Sequence, residues 1–258
     1  MKTNKIILVV LICSAGLYLN SCKKKEEAPV PTPANGELMM HLHTMSDMNE
    51  VMYDSLYVMM DGRKIIVTKA QLYISGIQLI KTDGSTYDVS GMIIFKKQEI
   101  EPYMLGSVPS GNYQSIKFNV GLSAATNSTS PILSDSALNR PDMWFGSSAQ
   151  PSGFVFVNFQ GKIDTTTAAN SAVSQMQPFV YKIGTNAHLK NVSMPVQNFT
   201  VSPNQMSAIH LSVDYSKLFI GIQLNLNSNL NIASSADNTR TLATQITNNI
   251  PLMFSYGM

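Results

Sequence analysis

Gln114-Ser115-Ile116-Lys117-Phe118-Asn119-Val120 is the stretch from which the fold class follows. In an extended chain Ile116, Phe118 and Val120 share one face while Ser115, Lys117 and Asn119 share the other, the period of a strand buried on one side. Ile209, Leu211, Val213 and Tyr215 alternate in the same way with Ala208, His210, Ser212 and Asp214. Further strands are expected over residues 38–43, 64–67, 71–79, 154–159, 179–183 and 218–226. Asp61-Gly62, Asp83-Gly84, Ser110-Gly111-Asn112 and Ser202-Pro203-Asn204 supply the turns between them. About nine short strands with this punctuation predict an all-β fold, an antiparallel β-sandwich forming one domain over residues 36–258. One short C-terminal helix is expected over 237–249, where Leu242, Ile246 and Ile250 recur at helical spacing.

Composition narrows the function. The chain has 258 residues, with 18 basic and 16 acidic side chains, and only 13% of it is charged. That is about half the charge usual in soluble domains. A net charge of +2 gives no basic face for nucleic acid, so no nucleic-acid partner is expected. Lys2 and Lys5 precede an apolar run from Ile6 to Leu19 that closes on Ser21 and Cys22, the layout of an export signal. Leu19-Asn20-Ser21-Cys22 resembles a bacterial lipobox, which makes 1–21 a leader and Cys22 the lipidation site. Cys13 would leave with the leader, so Cys22 has no partner for a disulfide. Loss of Lys2 and Lys5 would leave 16 basic against 16 acidic residues, a neutral mature chain. Residues 22–35 read as a tether: Lys23-Lys24-Lys25-Glu26-Glu27, then Pro29, Pro31 and Pro33 as a stiff spacer. A charged tether after such a Cys resembles the surface-export signals of Bacteroidota lipoproteins. The expected location is the outer membrane, facing the periplasm or the cell surface, with the lipid as membrane anchor.

No phosphate loop, nucleophile elbow, His-Glu-x-x-His or cysteine pair for zinc occurs, and no close carboxylate pair stands out. The expectation is a protein without enzymatic activity. One segment does carry chemistry: Met39-Met40-His41-Leu42-His43-Thr44-Met45, with Met48, Met52, Met59 and Met60 following. Seven of the 16 methionines lie from Met39 to Met60, around a His pair spaced two apart. On a strand Met39, His41 and His43 point to one face. Imidazole with thioether favours copper, Cu(I) above all, over magnesium or calcium. Met92, Met104, Met176, Met206 and Met253 read as adaptable core fillers in place of leucine, and His188 and His210 as polar surface or locally bonded residues. The alternative function is a metal-free surface module that recognises glycan or protein.

Several patches, in order, resemble the MbnP-like family of exported copper-binding proteins. They are Val67-Thr68-Lys69-Ala70-Gln71-Leu72-Tyr73-Ile74-Ser75-Gly76-Ile77-Gln78-Leu79 with Asp83-Gly84; Gly111-Asn112-Tyr113 through Val120-Gly121-Leu122 with Asn127; Met143-Trp144; Ser152-Gly153-Phe154 through Phe159-Gln160-Gly161; and Phe179-Val180-Tyr181-Lys182-Ile183-Gly184. The resemblance implies a periplasmic or surface β-sandwich, copper as the bound ion, and a redox or copper-delivery protein as partner. In this family copper is held by His together with an oxidised Trp, which makes Trp144, the sole Trp, the matching metal-site candidate. Lys182 stands where the family strand carries His, Gln160 replaces its acid, and Gly146 falls near its second Trp. The metal candidates are therefore Met39, His41, His43 and Trp144.

Overall fold

The alternating stretches at 114–120 and 208–214 become strands, because an extended chain with one apolar edge must bury that edge against a second layer. The computed structural model describes residues 34–257 except 48, 99–100 and 135–136. The leader, Cys22 and the tether through residue 33 lie outside the described residues. The strands are β1 (Asn35–Ser46), β2 (Asn49–Glu50), β3 (Leu56–Val58), β4 (Lys64–Lys81), β5 (Thr86–Asp88), β6 (Ile93–Lys96), β7 (Pro102–Pro109) and β8 (Gly111–Val120). After them come β9 (Val155–Ile163), β10 (Gln177–Gly184), β11 (Lys190–Ser193), β12 (Phe199–Val201), β13 (Met206–Asp214), β14 (Asn231–Ile232) and β15 (Phe254–Tyr256). Two helices accompany them, α1 (Ala124–Asn127) and α2 (Thr241–Asn249).

Two sheets result. The smaller runs β15-β13-β1-β2, with β7 also paired to β1; the larger runs β11-β8-β4-β9-β10-β14, with β12 on β8 and β3, β5 and β6 on β4. Leu38, Met40 and Leu42 of β1 and Ile209, Leu211 and Val213 of β13 are buried in one apolar cluster with Leu72, Ile74, Ile116, Phe118, Val120 and Phe159 of the larger sheet. That cluster is the sandwich core. Tyr73, between Leu72 and Ile74, turns to the opposite face of β4, where it joins Phe154, Phe156, Met143 and Leu138 in a second cluster.

Most ladders are antiparallel, but β1 lies parallel to β13 and β10 parallel to β14. The expected strands at 64–67 and 71–79 are parts of one strand, β4, with register shifts between Val67 and Lys69 and between Ser75 and Gln78. Residues 218–226 are not a strand. The Asp214 carboxylate accepts from Ser216 N–H at 3.0 Å and from its hydroxyl at 2.6 Å, starting a 3-10 turn over Tyr215–Phe219. Gly221 then takes φ +73°, which turns the chain again. The expected helix is shorter than 237–249: a separate 3-10 turn covers Asp237–Thr239, Arg240 is extended, and α2 begins at Thr241.

Candidate metal centre

Burial of Leu38, Met40 and Leu42 sends Met39, His41 and His43 to the outer face of the smaller sheet. The parallel ladder sets His41 beside His210 and Met39 beside Ala208. On the other flank of β1 the antiparallel ladder sets His41 beside Pro102 and Met39 beside Met104. Glu101, immediately before Pro102, thereby reaches His43. The His41 and His210 rings stack at 4.5 Å between centroids, and His43 and His210 lie 5.5 Å apart with planes inclined by 11°. One nitrogen from each of the three rings can be chosen so that all lie within 4.8 Å of one another.

Glu101 Oε2 lies 3.0 Å from His43 Nδ1, and His43 Nε2 lies 3.2 Å from His210 Nδ1. A carboxylate only accepts, so His43 Nδ1–H is the donor to Glu101. In the neutral ring Nε2 then carries the lone pair and accepts from His210 Nδ1–H. Carboxylates that hold one nitrogen of a ring in this way orient the other toward a metal. Two nitrogens bound to one ion at about 2 Å lie roughly 3 Å apart, so the present separation needs little adjustment. The stacked rings must still rotate for their in-plane lone pairs to converge, and exposed His210 has room to do so. The His41 imidazolium is disfavoured, first by burial and then by the neighbouring His210 and His43, with Glu101 opposing them. A neutral ring is the form that binds metal.

Met39 keeps its place on the same face, one row from His41. Met104, its cross-strand partner, is 45% exposed and Met206 is 60% exposed, so neither is the core filler expected; Met176 and Met253 are. The structure does not bring Trp144 to the histidines. Trp144 bridges to Phe154 and packs edge-on against its ring at 4.8 Å, on the far face of the larger sheet. His188 is buried, with Nε2 2.7 Å from the Asn238 carbonyl and Nδ1 2.7 Å from Thr247 Oγ1. Both of its nitrogens are engaged there. His210 and Glu101 are the members that sequence reasoning missed. His210 was visible only as a polar residue on an alternating strand, and Glu101 had no signal of its own.

The family model described as MbnP matches residues 35–239, most of the chain. The chain belongs to the MbnP family. The solved structure of MbnP from Methylosinus trichosporium superimposes with a TM-score of 0.52 at 13% identity, over 87% of this chain and 99% of that one. At that identity the likeness carries the sandwich fold. No curated protein sequence matches significantly.

Membership makes the Trp144 region a place to test for metal. Lys182 of β10 pairs with Asn158 of β9, whose amide donates to the Asp142 carbonyl and accepts from Gln160 Nε2 at 2.7 Å. Lys69, the β4 neighbour of Gln160, pairs its ammonium with Asp142 at 2.9 Å. Two ammonium groups and a chain of amides offer neither imidazole nor thiolate. Met143, buried beside Trp144, adds a thioether there, whereas the three imidazoles stand together on the outer face of the smaller sheet.

Proposed function

We propose that this MbnP-family protein binds copper through His41, His43 and His210, with Met39 and Met104 as nearby thioethers. The observation that carries the reading is the convergence of three imidazoles from two adjacent strands, one of them held in a defined tautomer by Glu101. Imidazole sites for first-row divalent ions favour copper on affinity, and thioethers within reach favour Cu(I) in particular. On this reading the protein holds and passes on the ion without catalysing a reaction. Cys22 carries the lipid that anchors it to the outer membrane, facing the periplasm or the cell surface. A redox or copper-delivery protein meets the exposed face on which His210 and Met104 flank β1.

An anaerobic Cu(I) titration of the purified protein against a competing chelator tests this, alongside His41→Ala/His43→Ala and His210→Ala. One tightly held equivalent is expected, with affinity falling at least about tenfold in each variant. Unchanged binding in the variants would remove the site. Absence of binding in the parent protein would remove the function and leave the metal-free recognition module. Fractionation of cells expressing Cys22→Ala tests the anchor: the protein should move from the membrane to the soluble fraction.

A further inference from the structure

His43 belongs to two groups at once. Its Nε2 faces His210 at 3.2 Å, and its Nδ1 faces Glu101 at 3.0 Å. Glu50, on β2 beside the end of β1, completes the second group: one ligand atom each from His43, Glu50 and Glu101 lie within 4.8 Å of one another. The two sets differ in chemistry, three imidazoles on one side and one imidazole with two carboxylates on the other. Nitrogen with two carboxylate oxygens suits a borderline divalent ion such as zinc better than Cu(I).

We infer that the outer face of the smaller sheet holds a second metal site, for zinc, formed by His43 Nδ1, Glu50 and Glu101, with the His43 ring bridging it to the copper proposed above. The inference rests on that copper reading for the bridge, and on the second triad alone for the zinc. Two carboxylates balance the charge of one divalent ion. Lys96, which Glu101 influences electrostatically, directs its ammonium to the Thr44 hydroxyl and the Lys97 carbonyl rather than to the carboxylate. On zinc binding, the N–H bond at His43 Nδ1 breaks, its proton passes to water, and bonds form from zinc to Nδ1 and to the two carboxylate oxygens. Copper and zinc keep their oxidation states. Zinc therefore takes the place of the proton that Glu101 now accepts, and His43 keeps its orientation when the metal enters.

The purified protein, loaded with one equivalent of Cu2+, is titrated with Zn2+ and in parallel with paramagnetic Co2+. The expected result is one equivalent of Zn2+ taken up with copper retained. Co2+ in the same position should attenuate the Cu2+ electron paramagnetic resonance signal, which diamagnetic Zn2+ leaves at full intensity. Glu50→Gln should weaken zinc at least about tenfold and leave copper affinity within about twofold, because Glu50 is outside the three-imidazole group. His210→Ala should lose copper and retain zinc, so failure of the copper reading is separable from failure of this one. Zinc that displaces copper mole for mole, or binds Glu50→Gln as tightly as the parent, would overturn the second site. A Cu2+ signal indifferent to bound Co2+ would overturn the bridge.

Discussion

Two side chains near the centre carry its consequences at the scale of single residues. Glu101 fixes which nitrogen of His43 is free, so Glu101→Gln keeps the size of the side chain but replaces a charged acceptor with a weaker neutral one. Copper affinity should fall about 10- to 100-fold, read by chelator competition, while the fold remains intact by circular dichroism. Lys96 is fully buried between the sheets. Burial lowers its ammonium from the ordinary 10.5 to about 8, with Glu101 pulling the other way. Between pH 8 and 10.5 the unfolded chain holds the proton that the folded one has released, so Lys96 makes stability rise with pH across that window. Below pH 8 both states are charged and the full desolvation cost is present. Lys96→Met should therefore be more stable at pH 7, by about 1–3 kcal/mol. Tyrosines also titrate near pH 10, so the quantity to follow is the difference between variant and parent in urea unfolding at pH 7 and pH 9.5. That difference should shrink at the higher pH; a constant difference would mean that folded Lys96 keeps its proton across this whole range.

Alternation along β1, β8 and β13 says which residues share a face, and those assignments hold in the folded chain. It does not say which strands lie side by side. The expected antiparallel sandwich left β13 without a neighbour, and the parallel β1–β13 ladder, closed only after more than a hundred intervening residues, is what sets His210 beside His41. For the same reason the His pair was legible in the sequence while the third imidazole was not. Residues 218–226 misled because an apolar run resembles a buried strand; the capping carboxylate of Asp214 and the left-handed Gly221 decided otherwise. Element ends elsewhere depend on close approach. Gly121, just past β8, has φ +113°, and a Cβ there would meet the Phe156 ring at 2.5 Å. Its N–H donates to the Tyr73 carbonyl at 2.9 Å and its carbonyl accepts from the Ser75 hydroxyl at 2.7 Å, so the backbone has little freedom to relax. Gly121→Ala should cost about 2 kcal/mol or more in urea unfolding, from strain and overlap together. A loss below about 0.5 kcal/mol would show that Phe156 yields without penalty.

The sandwich has two unlike outer faces, and among the described residues the clusters of candidate metal ligands lie on one of them. The larger sheet covers its outside with Tyr73, Phe154, Phe156 and Trp144, whereas the smaller sheet leaves the histidines and carboxylates open to solvent. The ligands of the proposed copper site come from positions 41, 43 and 210, with Glu101 behind them, on strands joined by long stretches of chain. Unfolding separates them, so the unfolded chain has only the His41-x-His43 pair as a weak chelate. An ion that binds the folded state far better than the unfolded one must raise the unfolding temperature by mass action. At free copper about 100 times the dissociation constant the gain is about 2.7 kcal/mol. For a domain of this size each kcal/mol moves the midpoint by roughly 2–4 °C, so scanning calorimetry with chelator-buffered Cu(I) should show an increase of about 5–10 °C. His210→Ala should remove most of that increase, since it leaves the folded state with nearly the same ligands as the unfolded chain. If the variant kept the full shift, copper would be stabilising the protein from somewhere other than the seam between β1 and β13.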